Sequence, residues 1–349
     1  MYAYPGALHM HTLHSDGSGT VAELALAARD AGLRWIIITD HDTLAGRPDA
    51  GWVSDVLVIV GHEITPERNH FLALNTSRTI DQALPTQQYI DAVYTDGGFG
   101  IIAHPDERVV NRFKQIYRWD DWQIDGPSDR VGRPVGIELW NVMSDWAEHL
   151  TDLNTLVLVA RPELGLSGPS AATLAWWDDL NMRGRRTFGV GGVDAHAIKR
   201  RAPWGEITVL PYRWIFGTVT NYLLMDQPLS RDAAAATHEI YAALTAGRAY
   251  FVNRLAGEAD LTFVARRGDA EWPCGATVDL RAGAVTFVAS VGDGSGSDVV
   301  QLIGDGRVVA SGRGLLRHSV AASGVYRLEV YRRNRPWIYT NPLFLEEML

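Results

Sequence analysis

Six short apolar runs set the frame of this chain, because each ends at or just before polar residues of one chemical type. Residues 7–8 lead into His9, and 35–39 (WIIIT) lead into Asp40-His41-Asp42. Residues 56–60 (VLVIV) lead into Gly61-His62-Glu63, and 99–103 (FGIIA) into His104-Pro105. Residues 135–139 lead into Trp140-Asn141, and 187–191 into Asp194 and His196. Continuous apolar runs of this length suit strands buried on both faces, as in a parallel sheet. Between the first two runs, Thr20 and Glu23 have the spacing of a capping box. Val21, Leu24, Ala25, Ala28 and Ala31 then recur at helical spacing, and Gly32 stands where the helix should end. Strand, loop, helix and strand in series predict an α/β fold, as a barrel or an open parallel sheet.

In such folds the C-terminal strand ends form one face, and ligands bind there. His9, His11, Asp16, His41, Glu63, His104, Asp194 and His196 all follow an apolar run closely. His70 precedes one, and a hairpin over residues 61–75 would let it face Glu63. Alternate strand residues point the same way, so His9 and His11 can face one ion. Asp16 lies in a Gly-rich loop able to fold back over the site. Six imidazoles and three carboxylates without a thiolate suit Zn, Mn, Fe or Ni.

The last part reads differently. After a helical stretch at 233–246, short alternating strands are expected at 261–265, 285–290, 299–303 and 325–331, with a hairpin turn at Asp305-Gly306. Residues 1–257 are read as the α/β unit and 258–349 as a small β-sandwich. Residues 151–186 are read as helix plus loop. The formal net charge of -9 argues against a general nucleic-acid binder. The single cysteine, Cys274, excludes an internal disulfide and disfavours a thiolate zinc site. No apolar run approaches the roughly 18–20 residues of a membrane helix. The first residues lack a secretory pattern, and a ligand as early as His9 leaves no room for a cleaved leader, so a cytoplasmic protein is expected.

The motifs His9-x-His11 with Asp16-Gly17, Thr39-Asp40-His41, Gly61-His62-Glu63, Ala103-His104-Pro105 and Asp194-Ala195-His196 resemble, in order, those of the PHP (polymerase and histidinol phosphatase) superfamily. Residues 6–11 (GALHMH), 137–141 (IELWN) and 336–342 (PWIYTNP) are similar to its CehA/McbA-type branch. The resemblance implies a distorted (β/α)7 barrel holding two or three divalent ions (Zn, Mn or Fe). It implies His9, His11, Glu63 and Asp194 on a first ion, with Glu63 bridging to a second held by His70 and His104. Asp16, His41 and His196 would hold a third. Glu63, Asp194 and His196 are then the candidate catalytic residues, and hydroxide shared between the ions the expected nucleophile. The expected substrate is a small phosphoester; the alternatives are a carbamate, ester or amide. A 3′–5′ exonuclease or a non-catalytic metal-binding module are further alternatives, and the acidic charge counts against the exonuclease.

Other residues carry weaker signals. Asp40 and Asp42 either orient ligand imidazoles or cap the following helix. Glu138 is a supporting carboxylate or an extra ligand. His14, Arg108, Asn141, Lys199, Arg200 and Arg201 are candidate substrate contacts, and the basic ones would clamp a phosphate or form a solvated stretch. His62 should point away from the site. Residues 97–100 and 189–192 are glycine-rich without nucleotide-loop spacing, and are expected to permit close backbone approach.

Overall fold

The computed structural model describes residues 1–107, 119, 133–203, 205–292 and 296–347. Strands β1 (Tyr2–Leu8), β2 (Trp35–Ile38) and β4 (Val56–Val60) are parallel neighbours, with β3 (Gly51–Val53) antiparallel on the edge. Their apolar runs divide between two cores by alternation. Ile36, Ile38, Val58 and Val60 enter one, while Trp35, Ile37, Leu57 and Ile59 enter the other. Each such side chain, fully buried, contributes about 1.5–3 kcal/mol, which is why these runs have no polar face.

Helix α1 (Val21–Asp30) starts at the expected capping box. The Thr20 hydroxyl accepts from the Glu23 amide (3.3 Å) and Glu23 accepts from the Thr20 amide (2.7 Å). The helix buries Val21, Leu24, Ala25 and Ala28, and ends before Gly32, whose φ of 79° suits glycine.

The hairpin expected over residues 61–75 is present: β5 (His62–Ile64) pairs antiparallel with β6 (Phe71–Leu74). β7 (Phe99–Ile102) pairs antiparallel with β6 and parallel with β8 (Val135–Asn141), which is parallel to β9 (Phe188–Gly192). The hairpin β10 (Ile198–Ala202) and β11 (Gly205–Val209) follows.

A mixed α/β fold is therefore present, but among the described residues the expected seven-stranded barrel is not closed. β1, β2 and β4 belong to one long sheet and β5–β9 to another. The free edge of β1 is occupied by the antiparallel strand β12 (Val219–Met225), itself paired with β13 (Ala249–Asn253). Single bridges, Met10 to Ala195 and His41 to Glu63, join the two sheets at the ends of the strands.

Past residue 258 the chain is strand-rich as expected, including Leu261–Arg267, Val285–Val291, Val299–Gly304 and Gly324–Arg332. Asp305 and Gly306 both have positive φ (48° and 73°), the geometry of a tight hairpin turn. These strands have a core of their own, including Phe263, Phe287, Leu302, Leu328 and Trp337, shared with Tyr250 and Val252 of β13. Arg335–Thr340 pairs directly with β13, so hydrogen bonding runs unbroken across the expected boundary at 257/258. Among the described residues no helix is long and apolar enough to cross a membrane.

Candidate metal centre

The two joining bridges lie where the predicted ligands gather, and backbone geometry explains how. Three of those residues take left-handed backbone conformations: His9 (φ 68°), His104 (φ 27°) and Asp194 (φ 53°). Such conformations cost a non-glycine residue about 1–3 kcal/mol each and persist only where surroundings over-determine them. Here the Val193 amide donates to Leu8 O (3.1 Å), Ala195 N to His9 O (3.2 Å) and His11 N to Ala195 O (2.9 Å). The turned backbone directs the imidazoles and carboxylates of neighbouring strands into one space.

Glu63 lies at its centre, fully buried. His9 Nε2 (3.2 Å), His11 Nε2 (3.5 Å) and His41 Nδ1 (3.1 Å) approach its Oε2. His70 Nδ1 (2.9 Å) and His104 Nε2 (3.3 Å) approach its Oε1. Asp194 Oδ1 is 3.3 Å from His9 Nε2 and 3.2 Å from His11 Nε2. Asp16 Oδ1 meets His196 Nε2 (3.1 Å) and His41 Nε2 (3.4 Å) from an exposed side chain. Among the described residues three sets have donor atoms within 4.8 Å of one another: His11, Asp16, His41, His196; His9, Glu63, His104; and His9, His11, Asp194. His70 stands beside Glu63 outside these sets, with its Nε2 2.9 Å from the Pro66 carbonyl.

The donor set fits cations better than protons. His9 Nε2, both ring nitrogens of His11, His41 Nδ1 and Glu63 Oε2 are buried without a hydrogen-bond partner among the described residues. Native structures rarely leave such atoms unsatisfied. The His11 ring also lies 4.1 Å from that of His196 and 4.2 Å from that of His41, too close for all three to be charged.

Charge in the metal-free site divides accordingly. Burial, then His196, pushes His11 down to about 4. Burial also disfavours charged His41 and His104, but the facing carboxylates prevail and raise them to about 10 and about 9. Burial opposes ionisation of Glu63 and Asp194, yet His9 and its neighbours hold both well below the usual carboxylate range.

Supporting residues fix this arrangement. Glu138 accepts from His9 Nδ1 (2.7 Å), the His104 amide (2.8 Å) and Asn141 Nδ2 (2.9 Å). This fixes a proton on His9 Nδ1, so that Nε2 is the atom that would offer its lone pair to a cation on losing its own proton. Gly192 makes room for it: a Cβ there would lie 1.7 Å from Glu138 Oε1. Asp40 accepts from Thr12 N (2.6 Å), Thr12 Oγ1 (2.7 Å) and Ser15 Oγ (2.6 Å), holding the loop that carries Asp16. Asp42 instead accepts from the Thr65 hydroxyl, beside the site rather than in it.

A cleft of about 880 Å³ opens above Glu63. Asp16, His41, His70, His104, Asp194 and His196 line it with Met143, Trp146, Leu150, Ile198 and Arg200. Of the four expected basic contacts, the three on β10 separate by strand alternation. Arg200 lines the cleft, whereas Lys199 reaches Glu206 (3.8 Å) and neither it nor Arg201 lines the cleft among the described residues. His14 is exposed, against Gly46, and does not line it. Asn141 is engaged in holding Glu138 and, through its Oδ1, in capping α2 (Val142–Glu148) at Ser144 N (3.0 Å). Arg108 falls outside the described residues. His62 points away as expected and accepts from the Ile80 amide (3.1 Å).

Two contributors escaped the sequence reading. The Tyr212 hydroxyl donates to His11 O (2.7 Å) and accepts from Ser18 N (3.0 Å) and Gly19 N (3.3 Å), pinning the far side of the Asp16 loop. Buried Glu107 bonds the Ser144 hydroxyl, with Oε1 3.9 Å from His104 Nδ1. Neither belongs to a motif; only the i,i+3 spacing of His104 and Glu107 offered a signal.

No family model and no curated protein matches the chain. Among solved structures it is similar to a protein from Bacteroides vulgatus, named as a two-domain protein containing a predicted PHP-like metal-dependent phosphoesterase. Identity is 15%, with 98% of this chain and 95% of that one covered, at a TM-score of 0.44. It is also similar to a protein from Bifidobacterium adolescentis named as a metal-dependent phosphoesterase (18% identity, 55% and 87% covered, TM-score 0.34). A third similarity is to an amidohydrolase from Chromobacterium violaceum, with bound sulfate and no metal (14%, 55% and 87%, TM-score 0.31). With every TM-score below 0.5, these likenesses decide neither fold nor function.

Proposed function

We propose that this protein is a metal-dependent hydrolase of the PHP type, CehA/McbA-like, acting on a small anionic phosphoester. One observation carries the reading: buried imidazole and carboxylate atoms without hydrogen-bond partners among the described residues converge around Glu63. We assign His9, His11, Glu63 and Asp194 to one divalent cation, Glu63, His70 and His104 to a second, and Asp16, His41 and His196 to a third. The sets of donor atoms support this in part: His9, His11 and Asp194 form one, Glu63 and His104 another together with His9, and Asp16, His41 and His196 the third together with His11, while His70 is assigned on its place beside Glu63. When bound, such ions (Zn, Mn or Fe) would acidify a coordinated water and neutralise charge developing on the substrate. The chain's own residues do the rest. Glu63, Asp194 and His196 hold the reacting centre, Glu138 keeps His9 in the Nδ1–H form, and Arg200 pairs with an anionic substrate group. Residues 258–349 form a C-terminal, sandwich-like unit in this reading.

A second reading, hydrolysis of a neutral carbamate or ester, is favoured by Met143, Trp146, Leu150 and Ile198 in the lining of the cleft. One experiment separates the two. Metal content is measured by elemental analysis on protein purified without chelator, and the same sample is assayed on an aryl phosphate and an aryl carbamate. Two or three bound equivalents with metal-dependent phosphate release support the first reading. Turnover of the carbamate alone supports the second, and no uptake after reconstitution refutes both.

A further inference from the structure

β9 pairs with β8 on one side only, and its other edge is completed in an unusual way. From residue 189 onward, every second residue turns its backbone toward that edge. Val193 and Ala195 meet the backbone of Leu8 and His9, as described above. Among the described residues Gly189 and Gly191 meet no strand, because β1 has given its edge to β12 at that level. Two side-chain amides take the strand's place. Gly189 N donates to Asn341 Oδ1 (2.6 Å) and Asn341 Nδ2 donates to Gly189 O (2.9 Å). Gly191 N donates to Asn221 Oδ1 (2.9 Å) and Asn221 Nδ2 donates to Gly191 O (2.7 Å).

A carboxamide offers one acceptor and two donors, so it can match a peptide group on a strand edge. Both asparagines are 1% exposed, so neither β9 amide can turn to water if its partner is lost. The glycines let the faces of β9 pack closely. A Cβ at Gly191 would lie 2.3 Å from Val219, and one at Gly189 would lie 2.4 Å from Leu139. Asn341 also donates through Nδ2 to Ala249 O (3.0 Å), anchoring the pair to β13. Directly beyond this seam β9 ends at Gly192 and the chain runs into Asp194, in a conformation its surroundings must impose, and then His196.

We propose that Asn341, contributed by the C-terminal segment, is a positioning residue of the metal centre: its carboxamide, with that of Asn221, replaces the missing strand beside β9 and so fixes Asp194 and His196. The C-terminal segment is thereby part of the site without touching it. This rests on the metal-dependent reading above.

The test uses full-length, metal-free protein titrated with Zn2+ against a competing chelator, with hydrogen exchange of the Gly189 and Gly191 amides measured in parallel. Asn341→Ala is compared with Asn253→Ala, which removes another carboxamide facing the C-terminal segment (Nδ2 to Pro336 O, 3.0 Å) but not β9. We expect Asn341→Ala to weaken the tightest Zn2+ step about tenfold, the lower end for residues that support ligands, and to speed exchange at Gly189. Asn253→Ala should lower thermal stability while keeping wild-type affinity. Should Asn341→Ala fail to fold, Asn341→Ser, which keeps one small polar group, carries the same comparison. Wild-type affinity in the Asn341 variant, or an equal loss in Asn253→Ala, overturns the inference alone. A wild-type chain that takes up no Zn2+ overturns the metal-dependent reading as well.

Discussion

Gly192→Ala should damage the metal centre although residue 192 offers no ligand. The new Cβ would stand 1.7 Å from Glu138 Oε1, where ordinary contact needs at least about 3.4 Å. Glu138 must therefore move by more than an ångström, beyond the reach of bonds now 2.7 Å to His9 Nδ1 and 2.8 Å to His104 N. Losing one hydrogen bond to a charged group costs about 1.5–3 kcal/mol. At tenfold per 1.4 kcal/mol, that is roughly 10- to 100-fold in Zn2+ affinity, which agrees with the usual effect of removing a partner of a ligand histidine. The assay is chelator-competition titration of wild type, Gly192→Ala, Glu138→Ala and the double variant. With Glu138 truncated the clash is gone, so Gly192→Ala should cost little in that background. Equal costs of Gly192→Ala in both backgrounds, or wild-type affinity in the single variant, would refute the account of why glycine stands there.

Arg200→Ala should raise KM for an aryl phosphate severalfold and leave a neutral aryl ester unaffected, while Lys199→Ala changes neither; steady-state kinetics on the two substrates decide. Tyr212→Phe removes the hydroxyl joining His11 O to Ser18 N and Gly19 N. It should lower the affinity of the weakest-bound cation, because exposed Asp16 depends on that loop, and sequential metal release followed by elemental analysis would show it. In metal-free protein, His41 and His104 have pKa values raised to about 10 and about 9, above their ordinary 6.5. Their contribution to stability is complete below about pH 6.5 and lost as pH rises through 9 to 10. Melting temperature of the metal-free protein should fall across that window. Zn2+ affinity should rise over the same range, since bound cations displace those protons; a pH-independent affinity would count against these assignments.

Much of the centre was legible in the sequence because its parts are local. A buried strand announces itself by an unbroken apolar run, as at 35–39 and 56–60, and the polar residue that ends it lies at the strand's end by chain connectivity alone. His9, His41, Glu63, His104, Asp194 and His196 could therefore be placed on one face without knowing any contact. The capping box of α1 and the 61–75 hairpin were legible for the same reason, since a few adjacent residues specify each.

Relations between distant segments were decided only by packing. That β12 takes the edge of β1 and leaves the barrel open is a choice between competing strand partners, and apolar patterns do not name partners. Separating Arg200 from Lys199 and Arg201 required knowing that 198–202 is a strand and which face meets the cleft. Glu138 supports His9 across 129 residues, and Asn341 meets Gly189 across 152. Gly192 admits the first approach, and in both cases a buried polar group must be satisfied, so the sequence supplies the groups and their chemistry, while only the folded chain brings each to its partner.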